Sequence, residues 1–429
     1  MLERDPIFEL GKVSVLIPCY QHGHLLAQAV ESVLRQSYQN YEIIIVNDGS
    51  TDNTHQVVQE YAQRYPQRVK YLYQEQQGQV AARKNGSALI RGEFLITLDA
   101  DDLLAPSMMG KCVESLSKNP EAAAVASNVW MMAEDGQTIL GQLDQSEVPS
   151  WPNILEHNTW GGIAGIMIRS QSLQKVGWFN FDGTAGGEDW DIWIRFARSR
   201  QKLLHIPDFL AQYRQNCSSH SRQGLRVLKG ILQVLDCLTK EDPRLIQLEN
   251  VHPPIDISYY NQLRNRAVFF NYGVALAAAE GEETLQDILQ YFVPSDLDLE
   301  TLATAYIKGL IFVSRVQGNP NIFCPDFQDD ALGNALSYLE NKISEDTAKL
   351  LRIKIAENLI TQIKRSTKNS NLFKSKIKTI LFSWGQGVGC GVWGFTDFEV
   401  VSCLIFREKV PEFCPRSPQW LALFEGKKV

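Results

Sequence analysis

Through the first hundred residues, short continuous apolar runs alternate with stretches of helical periodicity. Residues 13–17 (VSVLI) form a nearly unbroken β-rich run, the pattern of a strand buried on both faces of a parallel sheet. Leu25, Leu26, Ala29, Val30, Val33 and Leu34 then recur at helical spacing. Residues 41–46 (YEIIIV) predict a second buried strand. Residues 50–53 are rich in helix N-cap types, and the helical pattern after them runs to about Tyr65. A third strand is predicted at 69–73, a third helix at 79–91 and a fourth strand at 94–98. Alternation at this spacing predicts an α/β domain with a mainly parallel central sheet.

After Arg222 the texture changes. Residues 225–238, 262–280, 284–292, 299–313, 331–341 and 344–363 read as helices, and strand-like alternation is scarce. Two regions are therefore expected, an α/β domain over 1–222 and a mostly helical one over 223–429. No internal repeat of solenoid length is visible.

Composition excludes several classes. Of 429 residues, 44% are apolar and 21% charged, which rules out disorder for the bulk of the chain. The formal charge of −7 offers no basic field for nucleic acid, so none is expected as a partner. Residues 360–429 differ, with eleven Lys and Arg against five Asp and Glu. That local excess suits peripheral contact with an anionic membrane, or equally a tail folded back on the acidic body. The eight cysteines contain no CxxC pair and fit a reducing compartment. The opening MLERDPIFELGK places charges where a secretory signal needs an apolar core. Residues 377–406 are interrupted by five glycines, Asp397 and Glu399, so no spanning helix is expected. A cytoplasmic location follows, with the inner membrane face as the place for any peripheral contact.

In open α/β sheets, ligands bind beyond the carboxyl ends of the strands. Those ends carry Pro18-Cys19-Tyr20-Gln21, then Asn47-Asp48-Gly49-Ser50, then Asp99-Ala100-Asp101-Asp102. GxGxxG and GxxxxGK[ST] are absent there, so any phosphate is expected to be held through a metal on carboxylates. Asp99, Asp101 and Asp102 suit a hard divalent cation, Mn2+ or Mg2+, completed by substrate phosphates and water. The competing reading is a solvated acidic turn.

Taken together, VSVLIPCYQ, YEIIIVNDGSTDNT, GQVAARKNG, GEFLITLDADD and GGEDWDIWIR resemble the inverting family 2 glycosyltransferases of GT-A fold, over about residues 11–222. The resemblance implies transfer of a sugar from a nucleotide-diphosphate donor, UDP-linked in the first instance, to a carbohydrate or lipid-linked acceptor, as in the synthesis of surface polysaccharides or glycolipids. It implies nucleotide-sugar binding by Pro18, Tyr20, Asp48, Arg83, Asp99, Ala100 and Asp101. Tyr20 and Asp48 would meet the base and Arg83 the nucleotide. Asp101, with Asp99 and Asp102, would hold the metal. Asp189 would act as general base beside Glu188, because inversion needs a carboxylate opposite the leaving diphosphate. Trp160 is assigned to the acceptor side, since aromatic faces suit sugar rings. Trp190, Trp193 and Arg195 are expected to pack the helix behind the base.

Gln21 and Lys84 stand where the family often has Asn, and Asn216 where a histidine often helps to bind metal, with His220 four residues on. The missing QxxRW motif favours a non-processive enzyme. The alternative is a nucleotide-sugar-binding protein with little transfer activity.

Overall fold

The computed structural model describes residues 8–316, apart from 161–162, 182, 184–185, 216–222, 279 and 296, together with scattered residues between 339 and 358. Two compact units emerge, Met1–Arg222 with Arg226–Leu263, and Gln223–Leu225 with Arg264–Val429.

The first unit begins with the expected alternation: β1 (Glu9–Cys19), α1 (Gly23–Leu34), β2 (Tyr41–Asp48), α2 (Thr54–Arg64), β3 (Val69–Gln74), α3 (Gln79–Ser87) and β4 (Gly92–Thr97). It continues with β5 (Leu103–Leu104), α4 (Met108–Lys118), β6 (Ala122–Met132), β7 (Ile139–Leu143), β8 (Ile166–Arg169), α5 (Ser170–Lys175), α6 (Glu188–Arg198) and β9 (Lys202–Arg214). The sheet runs β3-β2-β1-β4-β8-β6-β9-β5, with β7 on β6. β3, β2, β1 and β4 are mutually parallel. β8 lies antiparallel between β4 and β6, and β9 returns parallel to β6. The sheet is therefore mixed, with β3, β2, β1 and β4 parallel.

Residues 13–19 of β1 and the whole of β2 are buried on both faces, which is why their centres are mainly apolar. Val13, Val15, Ile17, Ile43 and Ile45 share one core with Leu26, Ala29, Val30 and Val33 of α1. On the other face Leu16 and Val46 meet α3 at Gly86, where an added Cβ would stand 2.4 Å from Leu16 Cδ1. That close approach fixes α3 against the sheet. The third helix ends at Ser87 rather than near 91 because Leu89 and Ile90 turn back onto the Gly86 and Ser87 carbonyls, bringing Gly92 beside β1.

α7 (Gly224–Asp236), α8 (Ile257–Ala277), α9 (Glu282–Gln290) and α10 (Leu299–Val316) match four of the six helices expected after residue 222. In the second unit α8 and α10 touch backbone to backbone: a Cβ on Gly309 would lie 2.0 Å from the Phe270 carbonyl oxygen. The helix expected at 331–341, most of that at 344–363, and the basic tail lie outside the described residues. Among the described residues no helix is long and apolar enough to cross a membrane.

One ion-pair network behind α6 holds that helix in place. Asp191 receives Arg195 Nε at 3.0 Å from its own helix and Arg244 Nη2 at 2.8 Å from the segment after α7. Arg244 also pairs with Asp242 at 2.7 Å, and Arg195 Nη1 donates to the Val176 carbonyl. Asp191 and Arg195 are buried, so removing one partner strands charge in low dielectric. Asp191→Ala should cost about 3–5 kcal/mol of stability, the usual penalty for breaking a buried pair. Urea unfolding followed by tryptophan fluorescence reads this directly, because Trp190 and Trp193 lie on the same helix. A loss below about 1 kcal/mol, the scale of an exposed pair, would show that the network holds nothing.

Candidate active site

The carboxyl ends of β1 and β2 form one wall. Tyr20 follows β1 and is 39% exposed, so its ring is open to a ligand. Gln21 takes a left-handed φ of 56°, unusual without glycine, and is held there by its side chain. Its Nε2 donates to Thr51 Oγ1 at 2.8 Å, while its Oε1 accepts the N–H groups of Thr51 and Asp52 at 3.2 Å each. Glutamine at this position thus ties the two loops together. Pro18 is buried and paired with Val46.

Asp48 ends β2, buried, and accepts three hydrogen bonds: Gln74 Nε2 at 2.7 Å, Gln77 N–H at 2.8 Å and Gly78 N–H at 2.8 Å. Gly78 immediately precedes α3, so Asp48 anchors the start of the helix that carries Arg83. The nearby Asx turn is made by Asn47, whose Oδ1 accepts the Ser50 N–H at 2.9 Å. Oδ1 of Asp48 already accepts two bonds and Oδ2 one, which leaves one acceptor site on Oδ2.

Arg83 is the junction of the site. Its buried guanidinium donates to Asp99 Oδ1 from Nη2 at 2.7 Å and to Glu188 Oε1 from Nη1. Gln79 adds a bond to Asp99 Oδ1 at 2.9 Å. Despite burial, the two carboxylates with Asp189 hold the Arg83 pKa above its ordinary value. The acidic motif after β4 and the acidic pair opening α6 are thereby joined through one side chain.

Beyond Asp99, Ala100 is buried and Asp101 half-buried. Asp102 is buried, and its Oδ1 accepts the Arg214 N–H at 2.9 Å from the end of β9. Arg214 returns its Nε to the Asp101 carbonyl at 2.9 Å and its Nη1 to the Glu134 carbonyl at 2.8 Å. Burial, then the charge of Asp99, pushes the Asp101 carboxyl up. Burial, then Asp101 and Asp99, pushes Asp102 up further.

Glu188 and Asp189 open α6, after Gly187 in left-handed conformation. Asp189 Oδ2 accepts Asn158 Nδ2 at 3.1 Å. Burial, then the neighbouring Glu188 charge, raises the Asp189 pKa to about 6.

Residues 14–181 match the family model described as glycosyl transferase family 2. Over 221 residues the chain is 35% identical to the glycosyltransferase GlyG of Streptococcus pneumoniae serotype 4, covering 49% of this chain and 73% of that protein. The chain belongs to glycosyltransferase family 2. It is also 40% identical over 219 residues to the uncharacterized glycosyltransferase alr2836 of Nostoc sp., covering 47% of this chain and 64% of that one. Among solved structures, the mannosyltransferase PcManGT of Pyrobaculum calidifontis, in complex with GDP-Man and Mn2+, is 17% identical with a TM-score of 0.45, covering 71% of this chain and 85% of that one. The mixed α/β sheet described above is the GT-A-type arrangement that the resemblance implies.

In this glycosyltransferase Trp160 is not placed as expected. It is fully buried, edge-on to Trp193 at 5.2 Å, with its indole N–H donated to the Gln145 carbonyl at 3.2 Å. Its ring therefore offers no face to an acceptor and instead supports α6. Trp190, Trp193 and Arg195 do pack that helix as expected. Asn216 and His220 lie outside the described residues. Three residues that matter were not singled out for a role from sequence: Asn158, Arg214 and Arg244. Only Arg214 had a signal, its place in the Tyr213-Arg214 pair before residue 216.

No group of three or more His, Cys, Asp and Glu side chains forms a metal cage among the described residues. A magnesium-type cation needs less, since one or two carboxylates suffice beside substrate phosphates and water. The residues fit on that footing, because Asp101 is held in a carboxylate cluster whose mutual repulsion a cation would relieve. An acid whose folded-state pKa is raised lowers stability once the pH passes its ordinary range. Asp101→Asn is therefore expected to raise the melting temperature of the metal-free protein at pH 7 and, if Asp101 holds a cation, to abolish any further rise on adding Mn2+. A variant that melts like wild type without metal and responds equally to Mn2+ would remove Asp101 from the metal site.

Proposed function

We propose that this chain is a non-processive, inverting glycosyltransferase that moves one sugar from a UDP-linked donor to a hydroxyl of a carbohydrate or lipid-linked acceptor, with Mn2+ or Mg2+, at the cytoplasmic side. The observation that carries this reading is the Arg83 guanidinium bonded to both Asp99 and Glu188. It brings the acidic motif after β4, suited to a metal and a diphosphate, to the acidic pair that opens α6.

In this reading Tyr20 lies against the base and the remaining acceptor site of Asp48 Oδ2 takes an imide N–H of uracil. Asp101, with Asp99 beside it, holds the cation, which when bound supplies positive charge against the negative charge developing on the departing diphosphate. Asp189 takes the proton of the acceptor hydroxyl as its oxygen attacks the anomeric carbon. The bond from that carbon to the donor diphosphate breaks, and its electron pair leaves with the phosphate oxygen. Glu188 is engaged by Arg83, so Asp189 is the member of the pair available to accept a proton. Its pKa near 6 keeps it ionised at neutral pH yet basic enough to take part.

A thermal-shift panel of nucleotide sugars, with and without Mn2+, tests donor binding. A donor at roughly 100 times its dissociation constant should stabilise by about 2.7 kcal/mol. Asp189→Asn should keep that shift while nucleotide release in the presence of glycan or lipid-linked acceptors falls roughly 10²–10⁴-fold. Donor binding without acceptor-dependent release in the wild type would favour the nucleotide-sugar-binding alternative. Release by the variant within a few-fold of wild type would assign the base elsewhere.

A further inference from the structure

The carboxylate that accepts the proton must be held in one orientation with one oxygen free. Asp189 is the half-buried second residue of α6, beside Glu188, whose negative charge repels it. The structure supplies the opposing contact from outside α6. The short 3-10 turn Asn153–Leu155 is fastened to the helix by Trp190, whose indole N–H donates to the Ile154 carbonyl at 2.8 Å. Five residues after that turn, Trp160 is locked between Trp193 and the Gln145 carbonyl. Asn158 lies between these two fixed points, and its Nδ2 reaches Asp189 Oδ2 at 3.1 Å.

We propose that Asn158 is the positioning residue of the general base: it binds Oδ2 of Asp189, stabilises the ionised carboxylate and leaves Oδ1 to meet the acceptor hydroxyl. The proposal rests on Asp189 being the base. An ionised carboxylate only accepts, so the amide must turn its Nδ2 toward it. The other end of the amide shows the cost of that choice, because Asn158 Oδ1 is buried with no hydrogen-bond partner. A structural asparagine would be expected to satisfy both ends. Here one end is sacrificed to hold the other against Asp189.

The charged groups around Asp189 are few and already committed. Glu188 on α6 and Arg83 from α3 face it, and they pair with one another. Asp191, next along the helix, is turned to Arg195 and Arg244. Against burial and Glu188, the Trp190 backbone N–H, then the Arg83 charge and then the Asn158 amide lower the Asp189 pKa, and Asn158 is the side-chain hydrogen bond among them.

Carboxyl 13C NMR of the full-length protein labelled at aspartate, without metal or substrate, tests this. The Asp189 resonance is identified by its loss in Asp189→Asn. Wild type should titrate near pH 6. A hydrogen bond to the ionised form lowers the pKa, so Asn158→Ala should raise the midpoint by about one pH unit. Asn158→Leu, close in size and lacking the donor, should raise it equally and carries the test if the alanine variant folds poorly. A merely structural role would change stability and leave the midpoint where it was. An unchanged midpoint in either folded variant overturns the proposal. The base assignment fails separately, if Asp189→Asn transfers sugar at the wild-type rate.

Discussion

Burying the Arg83 guanidinium requires that Asp99 and Glu188 both reach it, because an unpaired cation in the interior would cost several kcal/mol. That requirement sets the geometry around it. α3 must end tight against the sheet, which the missing Cβ of Gly86 allows. The loop after β4 must turn Asp99 toward α3, and α6 must begin at the same rim. Three elements separated by up to a hundred residues are thereby fixed by two ion pairs. Arg83 and Glu188 are both buried, so loss of either would strand the other, while Asp99 keeps partial access to solvent.

The acids that Arg83 does not neutralise are handled by backbone and by distance. Asp102 is bonded to the Arg214 N–H, and the Arg214 side chain holds the Asp101 carbonyl, so β9 braces the acidic loop from behind. Asp191 faces the opposite side of α6 and is neutralised by Arg195 and Arg244. Favourable charge at a helix N-terminus contributes only about 0.3–1 kcal/mol, too little to explain why α6 tolerates three acids in its first turn. Separate cationic or amide partners for each acid explain it better.

β1, β2 and β4 were legible in the sequence because strands whose centres are buried on both faces have no polar alternation to confuse them with helices or loops, and β3, half-exposed at the sheet's end, was legible from its aromatic and β-branched run. β5 to β9 were not. β5 has two residues, β7 is half exposed, and β9 runs KLLHIPDFLAQYR with a proline and an aspartate inside it. Its pairing with β6 is broken by register shifts, so local pattern cannot reveal it. At the site, Asp48, Asp99 and Asp101 stood out because charge directly after an apolar run is conspicuous, whereas Arg83, Glu188 and Asp189 were reached only through the family resemblance. Asn158, Arg214 and Arg244 act through partners distant in sequence, and no local spacing announces such contacts. Trp160 shows the converse. An aromatic in a loop invites a sugar-stacking role, yet a neighbouring helix rich in tryptophan gives it a better place inside.

The same partition of partners separates the two acids that open α6. Adjacent carboxylates would ordinarily share their titration, each raising the other. Here Glu188 is bonded at its Oε1 by the Arg83 guanidinium, while Asp189 meets the Trp190 backbone N–H, the Asn158 amide and the more distant Arg83. Burial and then the Glu188 charge push the Asp189 pKa up. Two residues with the same chemistry meet different surroundings: one holds the arginine, while the proton affinity of the other is pushed up toward neutrality. Exchanging their partners would exchange those properties, so which acid is suited to accept a proton follows from what surrounds the pair.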